Sequence, residues 1–203
     1  MQVQGNKVTN YFTKIIDIAN TLASTVNSSY QQVNLDSFET ELVDIVTQND
    51  ALIGSGIWFE SGYFTNGIEK IEANATVSTA EQGMADSEEE SSEEETIYYV
   101  GPYAIRDNGK IQITYKYSTA DNSYFKQKFY MMAKEVKSTI LTEPMYDITA
   151  RSFKVTAIVP MFTDNVFIGC VTVDVSLDNI KELIGNAAIG DNGKATQIGR
   201  AHV

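Results

Sequence analysis

Apolar residues near the amino terminus recur at alternating intervals of four and three. In order they are Val8, Phe12, Ile15, Ala19, Leu22 and Val26. This spacing places them on one side of a helix, and neither glycine nor proline interrupts the segment 7–30. The pattern predicts one long helix that packs along its own domain. The same apolar side is also compatible with weak pairing to a second copy of the chain.

A second helical pattern follows, and after it the period changes to that of strands. Asn34 or Asp36 can cap the helix, whose apolar face contains Phe38, Leu42, Ile45 and Val46. Strand patterns then occupy the segments 53–64, 96–105, 111–118, 151–162 and 166–176. Short helices are expected at 124–138 and 177–185. Helices followed by a block of antiparallel strands indicate an α+β fold, with a long amino-terminal helix packed on a PAS-like antiparallel sheet.

Two tight turns divide the strand segments into hairpins. Asn-Gly stands at the centre of the turn 106–110, and Thr-Asp-Asn at 163–165 separates the last two strands. Between the first strand and the next lies a polar, acidic stretch, 66–95. It lacks periodicity and is expected to form a surface loop that is partly disordered around the glutamates at 88–95.

The net charge of −12 limits the kinds of molecule that the chain is expected to bind. It argues against binding to nucleic acid and to an anionic membrane surface. Six of the negative charges belong to the run EEESSEEE at 88–95, so the rest of the chain carries −12 + 6 = −6.

Composition also limits the chemistry. Cys170 is the single cysteine, which excludes an intrachain disulfide, and with one histidine the ordinary zinc patterns are excluded. A calcium site made of the glutamates at 88–95 is a weak alternative, because the ordered Asp/Asn/Gly spacing of a calcium-binding loop is absent, so no metal site is expected. No cofactor motif is visible. The only histidine, His202, lies in the carboxyl-terminal tail, and no serine has a catalytic motif around it, so the chain is not expected to be an enzyme. No apolar run approaches the roughly 20 residues of a membrane-spanning helix.

The last predicted strand raises a question because a carboxylate stands near the end of an apolar run. Strict alternation places Phe167, Gly169, Val171, Val173 and Val175 on the face that packs on helices. Asp174 then shares the other face with Thr172, where it can line a concave pocket. As an exposed pocket carboxylate it would contribute little to stability. The alternative is a local role, in which Asp174 bonds backbone groups just before the next helix.

The residues VPMFTDNVFIGCVTVDVSLDNIKELI (159–184) resemble the final hairpin of a double Cache sensor domain. The segment FKQKFYMMAKEVKSTILTEPMYDI (125–148) is similar to a second region of that family. The resemblance implies a membrane-distal PAS-like ligand-binding module at 34–185, preceded by the long helix at 1–33. It also implies that IGDNGKATQI (189–198) begins a second, membrane-proximal module, so that 186–203 would be its start together with a short tail of possible vector origin.

Members that bind amino acids share an arginine for the ligand carboxylate, an aromatic pair after it, and two aspartates for the ammonium. By resemblance the aromatic pair falls on Phe129 and Tyr130, and the aspartates on Asp147 and Asp174. The arginine position holds Gln127, next to Lys128 and Lys126, so a lysine would have to replace the arginine as a point charge. Tyr115 and Tyr117 are expected to add an aromatic wall. Two carboxylates with aromatic rings suit an ammonium group.

The resemblance implies an extracytoplasmic sensor region of a cell-membrane receptor, either a chemoreceptor or a histidine kinase, that binds a small amino acid, an amine or another small metabolite. Membrane attachment would come from flanking spans, one of them just before residue 1. The alternative is a module that binds no ligand and only positions or transmits. The charge pattern and the resemblance leave the ligand itself open.

Overall fold

The computed structural model describes residues 2–66, 76–78, 95–147 and 152–178. Its helices are α1 (Gln2–Ser29), α2 (Leu35–Gln48) and α3 (Lys128–Glu135), and a 3-10 turn spans Tyr124–Lys126. Its strands are β1 (Leu52–Phe59), β2 (Thr76–Ser78), β3 (Glu95–Ile97), β4 (Tyr103–Asp107), β5 (Lys110–Thr114), β6 (Ile140–Leu141), β7 (Met145–Asp147), β8 (Ser152–Thr163) and β9 (Val166–Ser176). Within these residues no helix combines the length and apolarity needed to cross a bilayer.

The two predicted amino-terminal helices are confirmed. α1 is continuous, and its apolar side contacts β8 and β9, where Ile15, Leu22 and Val26 are almost fully buried. α2 begins after Asn34, whose side-chain oxygen accepts a hydrogen bond from the Ser37 backbone N–H at 3.1 Å. This bond satisfies one of the N–H groups that a helix leaves unpaired in its first turn. Pairing of α1 with a second copy stays a prediction.

Seven strands form one antiparallel sheet, which confirms the predicted α+β class. The order is β5-β4-β1-β9-β8-β6, and β7 also pairs with β8. The turns between β4 and β5 and between β8 and β9 are the two predicted from sequence. Asn108 and Gly109 in the first, and Asp164 and Asn165 in the second, have positive φ, as tight hairpin turns require.

The two faces of the sheet carry different cores. α1 and α2 cover one face with a mainly aliphatic core that includes Leu42, Val171 and Val173. On the other face, α3 and the 3-10 turn enclose a cluster dominated by aromatic rings, among them Trp58 and Tyr124. The candidate site lies on this second face, because its polar side chains come from the strand positions that alternate with the aliphatic ones.

A bulge in β9 changes which residues face each side of the sheet. Phe162 pairs with Phe167 while Met161 pairs with Gly169, so Ile168 is an extra residue on β9. The predicted strict alternation is therefore wrong at the start of the strand. Phe167 lies in the aromatic cluster and Ile168 in the aliphatic core, whereas the alternation from Cys170 to Val175 is as predicted.

Several shorter elements differ from prediction. The single helix expected at 124–138 is a 3-10 turn followed by α3, and the strand expected at 111–118 ends at Thr114. β2, β6 and β7 were not predicted. The single strand expected at 96–105 is two strands, β3 and β4, of which β3 pairs with β2 in a separate small sheet. The glutamate run at 88–94, most of the helix expected at 177–185 and the proposed second module at 186–203 lie outside the described residues. The domain division stays a prediction.

Candidate functional site

A cavity of about 380 Å³ opens on the aromatic face of the sheet. It lies where β1, β4, β8 and β9 approach the segment from Tyr117 to Phe129 and the edge strand β7. The described residues that line it are Trp58, Tyr103, Tyr117, Gln127, Phe129, Met145, Tyr146, Asp147, Lys154, Thr156, Thr172 and Asp174. Aromatic rings thus share the cavity with two carboxylates and one ammonium group.

Trp58 is the centre of the aromatic wall. Its ring centroid lies 5.2 Å from that of Phe129, 5.8 Å from Tyr103 and 6.1 Å from Tyr117. Trp58 is almost fully buried, and its Nε1–H donates to Thr172 Oγ1 at 2.9 Å. This bond fixes the indole and satisfies its one donor, so the wall offers rigid apolar and π surface.

Asp174 is buried, with 2% of its surface exposed, and three side chains hydrogen-bond to it. The Tyr103 hydroxyl donates to Oδ2 at 2.7 Å, Lys154 Nζ to the same oxygen at 2.8 Å, and Thr156 Oγ1 to Oδ1. The interpretation of Asp174 as an exposed carboxylate with little influence on stability is therefore wrong. A buried carboxylate with one ionic and two hydroxyl donors is an integral part of the fold.

A glycine allows Tyr103 to reach this carboxylate. Gly54 lies opposite Asp174 in the β1–β9 ladder. A Cβ at Gly54 would lie 2.1 Å from the Tyr103 hydroxyl oxygen, so any larger residue would displace the ring. The neighbouring negative charge also affects the hydroxyl. Burial, and then the Asp174 carboxylate, raise the pKa of Tyr103 well above its usual value.

Lys154 connects the two carboxylates of the cavity. Its Nζ lies 2.8 Å from Asp174 Oδ2 and 3.1 Å from Asp147 Oδ2, and its side chain is 19% exposed. Burial alone would lower the pKa of Lys154, but the attraction of Asp174 and Asp147 outweighs it, so the pKa is raised. The ammonium therefore stays charged throughout the neutral range. Sequence reasoning did not identify Lys154 as a site residue.

These shifts predict a loss of stability in alkali. Tyr103 and Lys154 keep their protons to higher pH in the folded chain than in the unfolded one, so above about pH 10 the unfolded state binds fewer protons and the free energy of unfolding falls. Urea unfolding at a series of pH values measures this. The free energy of unfolding of Tyr103→Phe should fall less steeply with rising pH than that of the wild type. An unchanged stability from neutral pH to pH 11 would contradict the expectation.

The structure brings five of the eight predicted ligand-binding residues to the cavity: Tyr117, Gln127, Phe129, Asp147 and Asp174. Their role in binding stays a prediction. The other three face elsewhere. Tyr115 donates its hydroxyl to Glu39 on α2, on the opposite side of the sheet. Tyr130 is buried and hydrogen-bonds to Glu60 at 3.1 Å, and Lys128 is exposed at the start of α3. These three residues therefore do not line the cavity.

The remaining lining residues gave weaker signals in the sequence. Met145 and Thr172 neighbour the predicted aspartates, and Trp58 is the only tryptophan. Tyr103, Lys154 and Thr156 belong to ordinary strand patterns, in which a tyrosine, lysine or threonine needs no special explanation. Tyr146 lies in β7, for which the sequence shows no strand pattern. Only the pairing of strands shows that they meet.

Comparison with known proteins agrees with this architecture. The family of methyl-accepting chemotaxis protein-like domains, first PDC sensor domain, matches residues 38–182. The chain belongs to this family, whose fold is PDC/Cache-like, and the resemblance to Cache sensor domains is confirmed. No curated protein sequence matches the chain significantly.

Solved structures with the same fold are extracellular sensor domains. The extracellular domain of the putative histidine kinase mmHK1S-Z2 is 22% identical, with a TM-score of 0.68 over 94% of this chain and 64% of that one. For mmHK1S-Z3 the identity is 20% and the TM-score 0.66, over 94% and 59% of the two chains. The ligand-binding domain of the Campylobacter jejuni chemoreceptor Tlp3, in complex with 4-methylisoleucine, is 10% identical with a TM-score of 0.59, over 92% and 60%. This chain thus spans about three-fifths of the length of these structures.

Proposed function

We propose that this chain is the extracytoplasmic ligand-binding region of a transmembrane receptor, either a chemoreceptor or a histidine kinase. We also propose that its cavity takes a small amino acid or amine. The observation that carries the proposal is the combination of two carboxylates, Asp147 and Asp174, with an aromatic wall in one cavity of about 380 Å³. Such a combination suits a ligand with an ammonium group and an apolar part.

The comparisons support the same class of ligand. The Tlp3 domain, which shares the fold, has been crystallised with 4-methylisoleucine and with L-norvaline. Both carry an ammonium group beside an aliphatic side chain. The cavity here has the corresponding chemistry, although Gln127 is uncharged and cannot form an ion pair with a ligand carboxylate.

A thermal-shift panel tests this function. It should contain the common L-amino acids, primary amines, small carboxylates and nucleobases. A ligand that binds only the folded chain raises the melting temperature, and at a hundred times its Kd it adds about 2.7 kcal/mol to the free energy of unfolding. We expect a response to at least one amino acid or amine. No response from any compound would instead favour the alternative, a module that only positions or transmits.

A matched pair of methionine variants shows whether binding occurs in this cavity. Met145 lines it, whereas Met131 is 48% exposed on α3 and lies outside it. Met145→Trp should fill part of the cavity and abolish the response to the active compound, while Met131→Trp should respond like the wild type. An equal response of both variants would place the binding site elsewhere.

A further inference from the structure

Lys154 already has the environment that a ligand ammonium would need. Its Nζ lies between two carboxylate oxygens, 2.8 Å from Asp174 and 3.1 Å from Asp147. The ring centroid of Tyr103 lies 5.9 Å from the same nitrogen, within the range of a cation–π contact. The cation subsite of the cavity is therefore filled by a group of the chain itself.

We propose that Lys154 determines the specificity of the cavity by acting as a tethered competitor: a ligand ammonium enters the subsite only by displacing the Lys154 ammonium. This inference rests on the function proposed above. It adds the condition that the Lys154 ammonium must be displaced. It also assigns a role to Lys154, for which neither the family comparison nor the sequence gave an indication.

Exchange of the Lys154 ammonium for a ligand ammonium conserves the charge in the cavity. One primary ammonium leaves the two carboxylates and another takes its place, so the number of charges buried between Asp147 and Asp174 does not change. The electrostatic gain from the incoming ammonium is then largely offset by the loss of the Lys154 ion pairs. The net affinity has to come from the rest of the ligand, which meets the wall formed by Trp58, Tyr117 and Phe129.

The displaced lysine also favours one ligand class. Its flexible four-carbon chain can move the ammonium a few ångströms, but the charge then needs a new partner or water. A ligand that brings its own carboxylate supplies that partner, whereas a plain amine does not. Gln127 cannot compete for this role because it carries no charge. The cavity should therefore prefer a zwitterionic amino acid with an apolar side chain over the corresponding amine.

Three compounds of matched shape test this preference. L-leucine has both charged groups, 3-methylbutylamine lacks the carboxylate, and 4-methylpentanoate lacks the ammonium. Titration calorimetry would compare them on the wild type and on Lys154→Met, which keeps an unbranched apolar side chain out to the Cε position and removes the charged nitrogen. The wild type should bind L-leucine more tightly than 3-methylbutylamine.

Removing the competitor should reverse this order. We expect Lys154→Met to bind 3-methylbutylamine about tenfold more tightly than the wild type or better, since a tethered group competes at a high effective concentration. It should bind L-leucine less tightly than the amine, and 4-methylpentanoate should bind to neither protein. Lys134→Met is the matched control, because Lys134 pairs with Glu60 at the surface, away from the cavity, and is 57% exposed. It should behave as the wild type.

Loss of folding in Lys154→Met would also be informative. The variant leaves two carboxylates close together, so it should then fold when 3-methylbutylamine is added during refolding. The double variant Lys154→Met with Asp147→Asn removes one of the two charges and should fold and bind the amine through Asp174. Failure of both variants to fold at high amine concentration would show that Lys154 cannot be exchanged, and would overturn the proposal.

The remaining outcomes separate this inference from the proposed function. If a panel compound binds the wild type but Lys154→Met gains no affinity for 3-methylbutylamine, the inference fails and the sensor function stands. If no panel compound binds the wild type but Lys154→Met binds the amine, the tethered competitor is real and the proposed sensor function of the wild type is wrong. Unchanged affinities for both compounds in Lys154→Met overturn the inference directly.

Discussion

Asp174→Ala should lower the free energy of unfolding by about 3 kcal/mol, because it removes the acceptor of three buried donors. The hydroxyls of Tyr103 and Thr156 would lose their partner, and Lys154 would lose the nearer of its two carboxylates. A buried ammonium or hydroxyl without an acceptor costs more than the mean value of a hydrogen bond, since it has given up water without replacement. Urea unfolding monitored by tryptophan fluorescence measures the change.

Two further variants show whether the carboxylate itself matters. Asp174→Asn keeps one acceptor oxygen but removes the charge, so it should lie between the wild type and Asp174→Ala. Asp44→Ala removes an exposed aspartate from α2 and should change the stability by no more than about 0.5 kcal/mol. If Asp174→Ala were as stable as the wild type and lost only ligand binding, Asp174 would be a ligand contact and not part of the fold.

Gly169→Ala should have a still larger effect, about 4 kcal/mol or more. Gly169 has a φ of +145°, and a Cβ there would lie 2.2 Å from the Trp58 carbonyl oxygen and 2.9 Å from the Phe59 Cα. Both obstacles are backbone atoms of β1, so no side-chain rotation can relieve the clash. β1 and β9 would have to separate where Trp58 is held, and the cavity would lose its aromatic wall together with stability.

Gly109→Ala is the matched control for this substitution. Gly109 also has a positive φ, +78°, but a Cβ there meets no atom within 4 Å. Its cost is therefore the conformational strain alone, about 1 kcal/mol. The difference between the two losses in free energy of unfolding gives the part of the cost that comes from the close approach of β1 and β9 at the bulge. Equal losses in both would contradict the packing described for β9.

The elements that sequence reasoning predicted are those with a regular period. α1 was predicted because its apolar residues recur at alternating intervals of four and three over about three heptads. The β8–β9 hairpin was predicted because two apolar runs flank a Thr-Asp-Asn turn. In both cases the signal is local, and tertiary contacts only reinforce it. β6 and β7, with two and three residues, are too short to show a period, and they are strands only because β8 provides a partner.

The contact between Thr156 and Asp174 could not be predicted because it depends on the bulge. Near the turn, Thr163 pairs with Val166 and Phe162 with Phe167. Continuing that register would place Val155 opposite Asp174. The extra residue on β9 shifts the pairing by one and places Thr156 there instead. The hydroxyl donor directly opposite the carboxylate on β8 therefore depends on one irregularity, which the apolar pattern of β9 does not show.

The errors in the candidate site have a related cause. Tyr115 and Tyr117 have the spacing of one strand face, but β5 ends at Thr114, so the alternation does not extend to them. Tyr115 consequently contacts α2 and Tyr117 lines the cavity. Phe129 and Tyr130 are adjacent on α3, about 100° apart around its axis, so only one of them can face the cavity. A linear motif does not contain this information.

The length of α1 has a mechanical consequence. From Val26, which is fully buried, to Gln2 the helix extends about 36 Å at 1.5 Å per residue. It contacts the same two long strands, β8 and β9, that contribute Lys154 and Asp174 to the cavity. A rigid rod of this length that pivots near Val26 by about 5° moves its far end by about 3 Å. A small change in the angle of these strands can thus become a displacement as large as the diameter of a water molecule at the amino end of the helix.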